Sequence, residues 1–338
     1  MNLNFILMEM THLRYWMPLA LEGKSRGCKI KFFVGASRKY NCPIKYAQLL
    51  KQICTDNSFY LNPIDTISTA TGILFMSEKT GVQYLSQVGQ DVKIINTTYQ
   101  TDFIESYKSY IDKVDHVLMP SEFCADFYDR KSDKNLYLGI PKYDVELDEE
   151  EVLTKYSLPP NKKALIIWPK SRDFEANNIN KITNWLHQLG FTIIIKTRGK
   201  DPLHSHAIEH IKQAGGFYFE DASWYPHTTQ ELLTVSEIAI NFGSTTIEEF
   251  VMHNVPCANF DIKPQMRNGS KRPYRVTHEY LYNYDYCKQL KPDFSEQEFD
   301  DAVKYLTSTD LTEEFKKARQ NHLFDHKDSC KRILDVLL

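Results

Sequence analysis

Apolar residues along this chain fall into two alternating patterns. Short continuous runs read as strands buried on both faces. Between them lie longer segments whose apolar positions recur every three to four residues, the mark of a helix with one packed side. In the first half the predicted strands are 3–8, 30–34, 73–76, 92–95, 114–119 and 136–138, with helices at 14–25 and 44–54 and Gly27 placed as a helix stop. In the second half the strands are 164–168, 192–196, 217–219, 238–241 and 257–260, and the helices 177–189, 204–214, 229–235 and 246–253. Strand and helix in strict alternation predict parallel βαβ units, an α/β class. Between the halves, the turn Gly139-Ile-Pro141-Lys-Tyr-Asp144 precedes an acidic helix around 149–156 and then Pro159-Pro160, which marks a domain boundary. Two helices close the sequence, 296–306 and 312–338, the second broken near Asp325.

The most informative stretch is Ser236-Glu-Ile-Ala-Ile-Asn-Phe-Gly243-Ser244-Thr245-Thr246-Ile-Glu248-Glu249, followed by Val-Pro256 and another apolar strand. A buried strand stops at a small, hydroxyl-rich turn, and a helix with two early carboxylates follows. Such a turn offers backbone N–H groups and a positive dipole end to a phosphate. A carboxylate one turn into the helix suits a ribose diol. An ordinary strand–turn–helix capped by Ser244 or Thr245 has the same pattern.

This segment resembles the donor-binding signature of GT-B glycosyltransferases and the related sugar-nucleotide 2-epimerases. The Gly139-x-Pro-x-x-Asp144 turn resembles the close of the first domain in those enzymes, and 320–334 resembles the last helix of bacterial polymer glycosyltransferases. The resemblance implies two Rossmann-like domains with parallel sheets facing a central cleft. The expected division is an acceptor domain 1–144, a linker 145–162, a nucleotide-sugar domain 163–320, and a terminal helix 321–338 crossing back to the first domain. It implies an enzyme that moves a sugar from a nucleotide-sugar donor to a saccharide or lipid-linked acceptor hydroxyl. The alternatives are a 2-epimerase, although the Gly-Thr-Arg-Pro-Glu start of that family is missing, and a non-catalytic glycan-binding protein.

Transfer from a nucleotide sugar needs a neutralised diphosphate, a deprotonated acceptor and their alignment in a dry site. No Asp-x-Asp pair occurs, so the reading is metal-independent, with no cofactor beyond a UDP-, GDP- or CMP-linked co-substrate. By resemblance, Gly243, Ser244, Thr245 and Thr246 hold the diphosphate and Glu249 the ribose. Lys170, Arg172, Lys196 and Arg198, at the ends of two predicted strands, supply positive charge. Trp224 or Tyr225 is placed to stack on the base, although a packing aromatic suits the same position. In the first domain His12 is the first candidate for general base, with Glu9 orienting it or acting instead. Arg14, Thr97 and Thr98 are expected at the acceptor or cleft side. Where polymer glycosyltransferases carry a His-Gly turn, this chain reads Asn96-Thr97-Thr98. His204, His206 and His210 read as a polar helix face, so no metal is expected.

Composition narrows the class. At 338 residues, 42% hydrophobic and 25% charged, the chain has material for two ordinary globular cores. A net charge of −3 gives no overall field for nucleic acid. Residues 1–144 carry 17 Lys+Arg against 15 Asp+Glu, and the remainder 24 against 29. No apolar run is long enough for a transmembrane segment, and the start reads as a strand rather than a signal peptide, leaving at most peripheral membrane contact. Seven cysteines without a CxxC pair argue against a disulfide framework or zinc site. Cys28, Cys54, Cys124, Cys257 and Cys287 read as reduced core thiols in a cytoplasmic protein.

Overall fold

The computed structural model describes every residue except 37–41, 99–103, 169–178, 198–201, 222–223, 261–276 and 292, and the side chains of 104–106 and 277. The chain forms two compact units. The first comprises Met1–Val145 with Asn321–Leu338, the second Glu146–Gln320.

The first unit is built on seven parallel strands: β1 (Asn2–Leu7), β2 (Lys29–Val34), β3 (Tyr60–Pro63), β4 (Ile73–Ser77), β5 (Lys93–Thr97), β6 (His116–Leu118) and β7 (Asn135–Leu136). Their order is β3-β2-β1-β4-β5-β6-β7. The second unit repeats the plan with β8 (Lys163–Ile167), β9 (Thr192–Lys196), β10 (Phe217–Phe219), β11 (Ile238–Asn241), β12 (Cys257–Phe260) and β13 (Cys287–Leu290), ordered β10-β9-β8-β11-β12-β13. Each unit is Rossmann-like. The chain lays strands outward in one direction, then returns to the other side of the first strand. Where the direction reverses, between β1 and β4 and between β8 and β11, the loops diverge and leave room for a ligand.

The central strands are buried on both faces, which is why they read as unbroken apolar runs. Phe5 on β1 stacks between Phe32 (5.3 Å) and Phe75 (5.1 Å), the neighbours its strand register gives it. In the helix Leu13–Ser25, Trp16 packs 5.6 Å from Phe5, and its indole N–H donates to the Ile6 carbonyl at 3.3 Å. That helix stops where Gly27 takes a left-handed φ of 79° and its N–H returns to Lys24 O. All seven cysteines are free and buried.

Two strands escape the sequence pattern. β3 lies at the edge of its sheet with Tyr60 and Leu61 exposed, so it lacks an apolar run and ends in Pro63. β13 reads Cys-Lys-Gln-Leu and is likewise an edge strand, where polar residues are tolerated.

The segment between the halves carries the helix Glu149–Tyr156, capped by the Asp148 carboxylate accepting from Glu151 N–H at 2.9 Å. Lys155 Nζ donates to Glu231 at 2.6 Å and the Tyr156 hydroxyl donates to its other oxygen, fixing this helix within the second unit. The break near Asp325 separates the helices Thr312–His322 and Ser329–Leu337. The second of these belongs to the first unit, and the Gly139 turn explains how it is seated. Gly139 has φ 88°, and a Cβ there would lie 2.2 Å from Ser329 Oγ and 2.6 Å from the His326 ring. Five residues on, the Asp144 carboxylate accepts the Cys330 N–H at the helix start. Burial raises the Asp144 pKa above the ordinary carboxylate value, opposed by these N–H donors.

Candidate functional site

The Gly243 turn lies where the sequence places it. β11 ends at Asn241, the chain turns through Gly243 at φ 63°, and the short helix Ile247–His253 begins four residues later. β11 borders β8, so the turn stands at the switch point of the second sheet.

Part of the hydrogen-bonding capacity expected to be open is already used. Gly243 N–H donates to the Asn259 side chain at 3.0 Å, and Thr246 N–H to Ser244 Oγ at 3.3 Å. The Ser244 and Thr246 hydroxyls share a bond of 2.9 Å. Asn259, on the neighbouring β12, also accepts from Asn241 Nδ2 at 2.9 Å. The turn is thus preset by its own sheet, while Ser244 N–H has no partner among the described residues. Gly243 is exposed and Ser244, Thr245 and Thr246 are half-buried.

A second brace comes from Tyr282, whose hydroxyl donates to Ser244 O at 3.0 Å and accepts from Asn241 Nδ2 at 3.2 Å. Burial pushes the Tyr282 phenol well above its usual pKa, keeping that proton in place. The His278 ring meets Tyr282 edge-on at 6.0 Å, and burial lowers the His278 pKa to about 4. An unfolded His titrates near ~6.5, so between about pH 6.5 and 4 the unfolded chain binds a proton that the folded chain refuses. Stability contributed by neutral His278 is therefore complete above that window and lost as pH falls through it, by roughly 3 kcal/mol when fully developed. Melting temperature should fall on acidification from pH 7 to 5, and the fall should be shallower in His278→Gln. Parallel slopes in the two proteins would remove His278 from the cause.

The sequence reading did not anticipate a connected line of ionisable groups beside the turn. Lys196, the last residue of β9, puts Nζ 2.6 Å from Asp221 Oδ1. The same oxygen lies 3.3 Å from His227 Nε2, and His227 Nδ1 lies 3.5 Å from Glu249 Oε1. All four side chains are largely buried. Glu249 and Lys196 are the residues expected on sequence to meet the ribose and the phosphate. Asp221 and His227, which join them, flank the aromatics Trp224 and Tyr225 in the chain. The available signal was an acidic residue just after a strand and a histidine just before the helix Thr228–Thr234.

Of the aromatics, Trp224 is buried and pairs back on His227 in an isolated bridge, whereas Tyr225 keeps part of its surface. Lys170, Arg172 and Arg198 lie outside the described residues.

In the first unit, His12 closes the short turn Met10–His12 after β1, at the other switch point. Its N–H donates to Glu9 O at 3.0 Å, and its ring stands edge-on to Trp16 at 6.1 Å. His12 is buried, while Glu9 and Arg14 are half-buried. The polar end of β5 has a structural use. Asn96 clamps Glu78 reciprocally, donating to its carbonyl at 2.7 Å and accepting from its N–H at 3.1 Å. Thr97 and Thr98 are buried, and their hydroxyls donate to Met76 O (3.4 Å) and Leu118 O (3.2 Å). Ser121, by contrast, caps the helix Glu122–Phe127 and donates to His322 O at 2.9 Å. A further cation, Lys142, is buried with Nζ 4.7 Å from the Tyr143 ring and 6.0 Å from that of Tyr15. Among the described residues no group of three His, Cys, Asp or Glu side chains is placed to hold a metal, and no helix is long and apolar enough to cross a membrane.

No protein-family model matches the chain, and no curated protein matches its sequence. Solved structures do match. The wall teichoic acid polymerase TagF superposes with a TM-score of 0.67 at 13% identity, over 99% of this chain and 87% of that one. The UDP-GlcNAc 2-epimerase from Methanocaldococcus jannaschii gives a TM-score of 0.64 at 10% identity, over 100% of this chain and 99% of that one. A glycosyltransferase from Rickettsia africae gives 0.53 at 15% identity, over 99% and 97%. At these identities the likeness is one of fold, and the chain has the GT-B fold found in glycosyltransferases and UDP-GlcNAc 2-epimerases.

Proposed function

We propose that the protein is a cytoplasmic, metal-independent glycosyltransferase that binds a nucleotide-activated sugar on its second unit and transfers the sugar to a saccharide or lipid-linked hydroxyl. The observation that carries this reading is the buried line Lys196–Asp221–His227–Glu249 beside the preset Gly243 turn, at the carboxyl ends of β9 and β11. Buried charges are costly unless they are paired, and a surplus of them at a switch point is the usual mark of a polar ligand's site.

In this reading the Gly243–Thr246 turn receives the diphosphate through the Ser244 N–H and the neighbouring hydroxyls. Lys196 is held ready by Asp221, and the phosphate competes with that carboxylate for its ammonium. Lys170, Arg172 and Arg198, which follow β8 and β9 in the chain, add positive charge. Glu249, steadied by His227, accepts from the ribose hydroxyls, and Tyr225 stands nearest to the base. His12 takes the acceptor proton.

A panel of UDP-, GDP-, CDP- and CMP-sugars tests the donor site by thermal shift. One of them at a hundred times its Kd should raise the melting temperature by roughly 5 °C. No shift with any member would overturn the reading. The structural likeness to UDP-GlcNAc 2-epimerases favours a second reading on the same site. Product formed from donor alone would select it, since an epimerase needs no acceptor.

A further inference from the structure

Residues 23–55 contain eight Lys and Arg and not one Asp or Glu, in a protein whose net charge is −3. The same part of the first unit holds half of the large hydrophobic side chains that the described residues leave exposed. Ile44 is 59% exposed, Leu49 41%, Tyr60 54% and Leu61 39%. The four lie within 18 residues, on the connection from β2 to β3 and on β3 itself. The helix Ala47–Asp56 buries only Leu50 and Cys54, so most of its surface faces outward.

The basic residues are distributed among these apolar ones. Lys45 and Lys51 are exposed beside Ile44 and Leu49. Lys31 is the register partner of Tyr60 across the β2–β3 pair, and Lys24 places its ammonium 5.8 Å from the Phe59 ring. Arg26 is committed to Glu22 and Asp335, and Arg38 and Lys39 lie outside the described residues. Two acids flank the surface. Asp56 accepts from Gln52 at 2.6 Å, and Asp65 follows β3.

The geometry points to a docking surface for an anionic lipid bilayer, formed by the helix Ala47–Asp56 and the exposed edge strand β3. Exposed aliphatic and tyrosine side chains suit the interfacial layer of a membrane, and an excess of lysines over the flanking Asp56 and Asp65 suits its anionic headgroups. Protein–protein interfaces are depleted in lysine, whereas Lys24, Lys31, Lys45 and Lys51 belong to this part of the unit. A nucleic acid would use the cations but not Ile44 and Leu61, which offer nothing to a phosphate backbone. The binding is peripheral, consistent with the absence of a spanning helix among the described residues. It does not depend on which reaction the second unit supports.

Sedimentation with vesicles tests it. The protein should pellet with phosphatidylcholine vesicles containing phosphatidylglycerol, not with phosphatidylcholine alone, and less as salt rises. Each basic residue near such a surface is worth about 1 kcal/mol, so Lys45→Glu with Lys51→Glu should weaken binding at least about tenfold. Leu49→Asp with Leu61→Asp should weaken it comparably while the melting temperature stays near that of the parent. No pelleting with anionic vesicles overturns the inference, as does pelleting that neither pair of substitutions changes. Retention of RNA that the lysine pair abolishes and the leucine pair spares would reassign the surface to a nucleic acid. A concentration-dependent dimer lost in the leucine pair would reassign it to a second copy of the chain.

Discussion

Replacing His12 with alanine should lower turnover by about 10²–10⁴-fold, the usual contribution of a positioned general base. Donor affinity should remain within about twofold of the parent, because the proposed donor contacts belong to the other unit. His12 is held at two points, one on its backbone and one on its ring. Its backbone N–H is tied to Glu9 O, and its ring edges Trp16, itself anchored to Ile6 O. A base held this way at a switch point loses little entropy in reaching an acceptor hydroxyl. Steady-state kinetics on His12→Ala and Glu9→Gln separates the two candidates. A fall confined to the Glu9 variant would make that carboxylate the base. Unchanged turnover in both would place the proton transfer elsewhere. His12→Gln controls for the volume lost on truncation.

Glu249→Ala should weaken nucleotide binding by about 10–100-fold, the range for hydrogen bonds to a charged group. His227 is the informative companion. Its Nδ1 lies 3.5 Å from Glu249 and its Nε2 3.3 Å from Asp221, so His227→Ala loosens both without removing a proposed ligand contact. Calorimetry should give a smaller loss for His227→Ala than for Glu249→Ala. In the double variant the losses should add to less than their sum, because the pair acts together. Full affinity in Glu249→Ala would remove the ribose assignment and leave the fold untouched.

The parts legible in the sequence were those fixed locally. β1, β4, β8 and β11 announce themselves because strands buried on both faces must be apolar throughout, and the Gly243 turn because a run of small residues breaks such a strand locally. β3 and β13 were invisible because an edge strand faces water and needs no apolar run. The site was half legible for a related reason. Lys196, Asp221, His227 and Glu249 come from separate segments, and only the return of the chain across the sheet brings them together. Thr97 and Thr98 show that polar residues at a strand end also have a use within the sheet, since their hydroxyls donate to the neighbouring carbonyls of Met76 and Leu118. Lys142 was hidden inside a motif noted for its glycine and proline.

The terminal helix Ser329–Leu337, seated by Gly139 and Asp144, also bears on how the molecule is made. During synthesis the second unit is a continuous stretch, but the first must wait for residues 321–338, which follow the whole of the second. The order of maturation is thereby inverted, with the earlier-encoded lobe finishing after its successor. A nonsense codon beyond position 320 would spare the later-encoded lobe and cripple the earlier one.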